Sequence, residues 1–336
     1  MKLALAVGLS EKAARFAAEL GVRHVVGGLG TLPQEYAGVI DLDVFLKAKE
    51  FYAGYDLELD TLEGFPHGFY HRAMLGRPGR DEDIDNTCAS ILNMGRAGIH
   101  VLSYQWMPLG GLSTDVIRGR GGATERRFDM ESANRSPGAT LDWHSGPLYE
   151  LPDREYSGEE IWDNLTYFLE RVVPVAEEAG VKLAMHPDDP PIPSFLGVDR
   201  ILGDLAGLQR LIDTVPSPSN GLNFCQGCVS EMPGVDVPAA IRQFGTQDKV
   251  FFAHFRDTRG TVPRFDEVFM DEGDTDMFAA MKAYKDAGVD VCMRADHTPG
   301  VIGDNHCADR GFAFQFGYMQ GLAQAVDALP ATTSGT

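Results

Sequence analysis

The sequence predicts a closed (β/α)8 barrel: eight parallel strands in a ring, each followed by a helix. Three observations predict it. Short apolar runs alternate with helical patterns from end to end, which is the mark of a parallel sheet with crossover helices. Eight such units fit in one chain of 336 residues, a length that suits a barrel domain. The runner-up, an open doubly wound sheet, needs a glycine-rich phosphate turn after its first strand. Val7-Gly8-Leu9-Ser10 lacks the second and third glycine at that spacing.

Each element has its own reason. Lys2–Val7 is the first strand, and Glu11–Leu20 follows as a helix with alanines, Phe16 and Leu20 on one face. Val22–Val26 is the second strand, closed by the loop Gly27-Gly28-Leu29-Gly30. Leu42–Tyr52 is helical and Leu57–Leu62 is the third strand. Asp81–Ala97 is a helix whose acidic first turn suits the helix dipole. Ile99–Tyr104 is the fourth strand. Gln105–Tyr156 then breaks the rhythm: it is rich in Gly, Arg and Pro, with weak periodicity. So long a stretch inside a compact domain reads as an inserted loop or lid.

Ser157 is an N-cap for a helix running to Ala179. Lys182–His186 is the fifth strand, stopped by Pro187, because proline cannot donate to a sheet ladder. Val198–Val215 is a helix, Gly221–Cys225 the sixth strand, Val237–Phe244 a short helix and Lys249–His254 the seventh strand. Asp274–Ala287 is a helix, Val289–Ala295 the eighth strand and Phe312–Leu329 the last helix. Residues 1–330 thus form one barrel domain with an insert at 105–156, and 331–336 read as a frayed tail.

The hydrophobic fraction of 44% suits a large core, and the net charge is -20. That charge argues against nucleic acid or an anionic membrane as partner, since phosphate binding needs basic clusters. It leaves open a small anionic substrate, which needs only local positive charge or a metal. Met1–Gly8 is too short for a signal core, and no apolar run approaches the roughly 20 residues of a membrane span. The five cysteines, an odd number without a secretory signal, read as reduced thiols or ligands in a cytoplasmic protein.

Barrel active sites lie at the carboxyl ends of the strands. The last four strands end on His186, Cys225, His254 and the pair Asp296-His297. Two imidazoles, a thiolate and a carboxylate at one topological level make a divalent metal site. Thiolate and imidazole favour Zn²⁺, Fe²⁺ or Co²⁺, the carboxylate leaves Mn²⁺ open, and Mg²⁺ prefers oxygen. Each residue also has a plainer reading, as a hydrogen-bonded histidine or a buried cysteine. Cys225-Gln226-Gly227-Cys228 could be half of a structural zinc site, but no second such pair exists. Cys88 and Cys292 read as packing residues, while His306 and Cys307 stay ambiguous.

At these residues the chain resembles the iron- or manganese-dependent mannonate dehydratase family, built on a xylose-isomerase-like barrel. The resemblance rests on His186-Pro187-Asp188-Asp189-Pro190-Pro191, Tyr104-Gln105-Trp106-Met107-Pro108 and His254-Phe255-Arg256-Asp257. Gly273-Asp274-Thr275-Asp276-Met277, Asp296-His297 and Gly317-Tyr318-Met319-Gln320-Gly321-Leu322 follow in the family's order. It implies metal ligands at His186, Cys225, His254 and Asp296, and an acid/base role for His297. Three positions depart from it. Phe312 stands where the family has a catalytic tyrosine, Thr298 replaces a glycine, and Glu267-Val268-Phe269-Met270-Asp271 lacks the histidine usual there.

The chemistry implied is loss of water from D-mannonate or a related aldonate, giving a 2-keto-3-deoxy acid. The cofactor implied is Mn²⁺ or Fe²⁺, with Zn²⁺ or Co²⁺ as alternatives. Arg256 is placed to grip a carboxylate, or to pair with Asp257 or another acid. Asp188 and Asp189 are candidates for sugar hydroxyls or for orienting His186. Trp106 either stacks on a sugar or fills the core, and Arg310 is a further substrate-binding candidate. With Phe312 in the tyrosine's place, the second proton falls to Asp188, His306 or metal-bound water. The basic run Arg118, Arg120, Arg126 and Arg127 reads as a lid, an oligomer contact or a solvated face. The rival functions are a metal-dependent sugar isomerase or epimerase and a metal-binding barrel without catalysis. A homo-oligomer, dimer or higher, is the expected assembly.

Overall fold

A computed structural model describes residues 1–29, 36–137, 152–304 and 309–330. The first four strands are β1 (Lys2–Val7), β2 (His24–Gly27), β3 (Glu58–Glu63) and β4 (Val101–Gln105). An antiparallel hairpin follows, β5 (Asp115–Arg118) and β6 (Thr124–Asp129). The chain returns to the barrel at β7 (Lys182–His186) and makes a short hairpin, β8 (Ser194–Phe195) with β9 (Val198–Asp199). Then come β10 (Asn220–Cys225), β11 (Val250–Phe255), a second hairpin β12 (Asp257–Thr261) and β13 (Arg264–Val268), and last β14 (Cys292–Ala295).

The ring closes in the order β1-β14-β11-β10-β7-β4-β3-β2, and its pairs are parallel, which gives the predicted (β/α)8 barrel. Parallel strands covered on both faces should be apolar throughout. β10 and β11 are buried at every position. The crossover helices bury one stripe each. The longest, Gly158–Ala179, buries Ile161, Leu165, Phe168, Leu169, Val172 and Val173. Its start follows the sequence reading: the Ser157 side chain accepts from Glu160 N. Among the described residues, no helix is long and apolar enough to cross a membrane.

Two expectations need correction. The 105–156 stretch is not a plain loop over its described part. β5 and β6 join β13 and β12 in a four-stranded antiparallel sheet, order β12-β13-β6-β5, and Met130–Arg135 is a short helix. The strands were hidden because their polar residues pair across the sheet instead of alternating with apolar ones. Arg127 makes a two-pronged bond to Asp266, at 2.5 and 2.9 Å, and Arg120, in the turn between β5 and β6, does the same with Asp271, just past β13, at 2.7 and 3.2 Å. The predicted helix 198–215 begins only at Leu205. Asp204 caps it, accepting from Gly207 N at 2.7 Å, while Val198–Asp199 serves the short hairpin. Residues 331–336, His306 and Cys307 lie outside the described residues.

Candidate active site

The sheet register sets the site. Cys225 on β10 is level with His254 on β11, and His254 with Arg294 on β14. Gln105 at the end of β4 is level with His186 on β7. Across β7 and β10, Met185 is level with Leu222, so the strand ends are staggered, and it is their side chains that converge. Ligand atoms of His186, Cys225 and His254 all fall within 4.8 Å of one another. The His186 and His254 rings are 5.1 Å apart between centroids. His186 Nδ1 lies 2.7 Å from the carbonyl of Pro187, which directs Nε2 inward. Asp296 Oδ2 stands 3.2 Å from His254 Nδ1, yet that buried nitrogen makes no hydrogen bond.

His186, Cys225 and His254 together fit a divalent transition ion, while Asp296 groups with Glu63 and His254 and stands beside that trio. Nitrogen, sulfur and oxygen ligands at about 2.0–2.3 Å from a shared ion lie a few ångströms from one another. A buried imidazole nitrogen facing a carboxylate without bonding to it is the arrangement an ion between them would satisfy. The charges suit it too. Burial opposes ionisation of Cys225, but a hydrogen bond from Cys228 and the charges of Arg256 and His186 hold the thiol well below its ordinary range. Burial likewise opposes the Asp296 charge, and Arg294, His297 and His254 hold that carboxyl well below its usual range.

His297 stands beside this set with its ring 21% exposed, the reach a group that meets substrate requires. Its backbone has φ 42°, a left-handed conformation rare for residues other than glycine and frequent at functional sites. Nδ1 lies 3.2 Å from Glu267 Oε1, and Nε2 lies 3.6 Å from Asp296 Oδ2. Glu267 comes from β13 of the accessory sheet. Burial opposes its charge, but Arg126 and His297 bring its carboxyl down to about 2. Arg126 Nε, on β6, is 3.6 Å from Glu267 Oε2. The basic run thus divides: Arg126 backs the histidine, Arg127 closes an ion pair elsewhere in the sheet, and Arg120 closes one from the turn between β5 and β6.

The substrate-binding candidates fall in different places. Arg256 is buried, with Nη1 2.9 Å from Glu231 Oε1, Nη2 3.0 Å from Asp189 Oδ2 and Nε 3.4 Å from Asp296 Oδ2. Its partners are these acids and not Asp257, whose Oδ1 accepts from Thr258 N. The guanidinium ties the proline-rich loop after β7 to the end of β14. Gly227 makes room for it, since a Cβ there would stand 2.3 Å from Arg256 Cζ. Asp189 also lies 3.9 Å from His297 Nδ1. Asp188 turns to the backbone, accepting from Leu202 N at 2.6 Å. Trp106 is 1% exposed and packs on Phe168 with centroids 4.9 Å apart, which is the core-filling place. Arg310 holds its own loop, donating to Ile302 O at 2.6 Å.

Sequence reasoning missed two acids here and left a third without a role. Glu63 ends β3, with Oε1 2.8 Å from His254 Nε2 and an ion pair to Arg294. Arg294 Nη1 also holds Asp296 Oδ1 at 2.9 Å. Desolvation opposes the Glu63 charge, but Arg294 and His254 bring its carboxyl down to about 2. Glu231 is fully buried against Arg256. Burial and the neighbouring Asp189 push its carboxyl well above the ordinary range. Reading the ends of all eight strands, not only the last four, would have found Glu63. Glu267 stands in the sequence only as part of a motif, because the strand that carries it has no apolar alternation.

Known proteins resemble the chain along nearly its whole length. The family model described as D-mannonate dehydratase (UxuA) matches residues 12–332. A mannonate dehydratase of Thermotoga petrophila is 32% identical over 334 residues, covering 91% of each chain. Mannonate dehydratase 2 of Halalkalibacterium halodurans is 30% identical, over 91% of this chain and 94% of its own. The crystal structure of mannonate dehydratase from Streptococcus suis serotype 2 superposes with TM-score 0.86 at 27% identity, covering 97% of this chain and 95% of that one. At the level of fold alone, a xylose isomerase domain protein from Planctomyces limnophilus matches with TM-score 0.60 at 11% identity. The match along nearly the whole chain and relatives at this identity lead to one conclusion: the chain belongs to the D-mannonate dehydratase family.

Proposed function

We infer that the protein removes water from a sugar acid, D-mannonate or a related aldonate, and releases a 2-keto-3-deoxy acid. His186, Cys225, His254 and Asp296 hold a divalent ion, Mn²⁺ or Fe²⁺, with Zn²⁺ and Co²⁺ as alternatives the donors accept. When bound, the ion supplies Lewis-acid stabilisation of negative charge developing on the substrate carboxylate. The observation that carries the reading is the pairing of His297 with Glu267 directly beside Asp296.

The residues of the chain do the rest. Glu267 accepts from Nδ1–H of His297, which fixes the tautomer and leaves Nε2 to take or give a proton. Arg294 holds Asp296 from one side and Arg256 holds it from the other, so that the carboxylate cannot swing away. Arg256 acts on the protein's own acids, positioning Asp189 next to His297. Glu63 is a fixed acceptor at the mouth, suited to sugar hydroxyls and not to the substrate's carboxylate, which its charge repels. Phe312 packs partly buried against the core and offers no phenol. Asp188, committed to Leu202, is poorly placed to carry the second proton, whereas Asp189 lies 3.9 Å from His297 Nδ1.

The test is an assay of metal-stripped protein restored with Mn²⁺, Fe²⁺, Co²⁺ or Zn²⁺, following keto-acid formation from D-mannonate and its epimers. Metal-dependent keto acid from one epimer, lost in His297→Ala, is the expected result. Bound metal with no keto acid, but with interconversion of aldose and ketose, would move the chain to the isomerase reading.

A further inference from the structure

Strand β6 reaches both Glu267 and the loop that carries His297. In the ladder of β6 and β13, Arg126 lies directly across from Glu267. Two residues earlier on β6, Thr124 meets Gly300, three residues after His297. Thr124 N donates to Gly300 O at 2.8 Å, and Gly300 N donates to Thr124 O at 2.9 Å. The Thr124 hydroxyl adds a bond to the same carbonyl at 3.2 Å. Carried on, the ladder would set Phe269 opposite Thr124, but β13 ends at Val268 and Gly300 takes that place. Residues two apart on a strand face the same way, roughly 6–7 Å from each other. The strand thus holds the carboxylate at one point and the loop at the next.

The loop has little slack. It leaves the barrel after Ala295, the end of β14, and Pro299, whose ring fixes its own φ, comes just before the bridge. Glycines at two contacts allow an approach that a side chain would forbid. A Cβ on Gly300 would stand 2.6 Å from Thr124 Oγ1. Gly311, in the first turn of the helix Asp309–Asp327, packs on the same loop, and a Cβ there would stand 2.5 Å from the Pro299 carbonyl oxygen. Between barrel and bridge, His297 keeps its left-handed φ of 42°, a strained state that lasts only where the surroundings over-determine it.

We propose that Thr124, Gly300 and Gly311 are positioning residues for the dehydration. The bridge clamps the loop after β14 to β6, and the clamp keeps the His297 ring on Glu267, with Nδ1 3.2 Å from Oε1. The inference rests on the reading of His297 as the acid/base. The three residues act through His297 and exchange no proton themselves. Loosening the clamp slows the proton step and leaves substrate affinity and metal content in place, because His186, Cys225 and His254 sit on barrel strands that the bridge does not touch.

The experiment compares full-length wild type, Gly300→Ala, Gly311→Ala, and Gly300→Ala combined with Thr124→Ala. One arm measures kcat, KM and metal content in Mn²⁺-loaded protein with D-mannonate. The other follows the His297 ring nitrogens by NMR in Zn²⁺-loaded protein carrying isotope-labelled histidine, assigned by the signals lost in His297→Gln. Wild type should show one tautomer, with the proton on Nδ1. Gly300→Ala should move those signals toward a mixture of tautomers and lower kcat about 10- to 100-fold, with KM within about threefold. Adding Thr124→Ala removes the clashing oxygen and keeps both backbone bonds, so it should restore both readouts to within about threefold of wild type. Gly311→Ala presses on a backbone carbonyl and should lower kcat in the same way. Glycine variants that fold with the wild-type tautomer and the wild-type kcat would overturn the clamp. So would a loss carried by KM or metal content, or one in Gly300→Ala that Thr124→Ala fails to relieve. The NMR arm needs no turnover: a wild type that forms no keto acid sinks the sugar-acid reading, and the tautomer still decides the clamp.

Discussion

The two halves of the barrel spend their strand ends differently. β7 and β10 end on His186 and Cys225, β11 carries His254 just before its last residue, and β14 leads into Asp296 and His297. β1 to β4 end on Val7, Gly27, Glu63 and Gln105. The second half thus carries the candidate ligands and the acid/base, while the first contributes one carboxylate that reaches across to Arg294 and His254. Even the histidines differ. His254 faces carboxylates on both ring nitrogens. His67, in the loop after β3, is buried beside His71, and that burial, with the neighbouring ring, pushes its pKa down to about 3. One half is organised for chemistry, and the other supplies the wall against which it is held.

The largest effects should fall in the second half. Cys225→Ser or His186→Ala should cost about 1,000-fold or more in kcat/KM, because the ion is asked to supply several kcal/mol of transition-state stabilisation. Metal content measured on the same samples should fall with activity. His297→Ala should lose about 100- to 10,000-fold in kcat, the usual worth of a general acid or base, with metal content unchanged. Loss of metal in that variant would show the histidine to be structural. Glu267→Gln should lower kcat by about 100-fold through a misplaced imidazole, with KM little changed. Rescue by Glu267→Asp would argue that the carboxylate charge is what matters.

Substitutions in the first half should act more weakly. Glu63→Gln removes charged hydrogen bonds worth about 1.5–3 kcal/mol, so kcat/KM should fall roughly 10- to 100-fold, mainly through KM. A loss as deep as that of Cys225→Ser would erase the distinction between the halves. His67 should affect stability alone. Its folded pKa lies below the unfolded value of about 6.5, so its contribution is complete above that pH and fades as pH falls toward about 3. Between pH 7 and pH 5 wild type should lose about 2 kcal/mol through this group. His67→Gln should show a flatter acid limb in chemical denaturation.

Much of this was legible in the sequence, for physical reasons that can be named. Lys182–His186 is legible to the residue, because Pro187 ends a ladder and an apolar run bounded by proline leaves little choice. The helix from Gly158 was legible through Ser157. The accessory sheet was not, since Asp115–Arg118 and Thr124–Asp129 carry charges where a half-buried strand should alternate. Those charges pair with residues far away in sequence, such as Asp266 and Glu267, and such pairing leaves no local trace. Glu63 is not legible as a site residue, because an acid at a strand end reads as surface. Its partner Arg294 stands 231 positions later in the chain. Arg256 was found as a site residue, but its role depends on Glu231 and Asp189, which only the folded chain brings to it.

The measurement that tests the central claim most directly is Mn²⁺ binding by equilibrium dialysis to wild type, Cys225→Ser and Glu63→Gln, all reduced and metal-stripped. One ion per chain in wild type, retained in Glu63→Gln and lost in Cys225→Ser, is the result predicted. Equal binding by wild type and Cys225→Ser, or loss of the ion in Glu63→Gln alone, would contradict the assignment of the metal to the second half of the barrel.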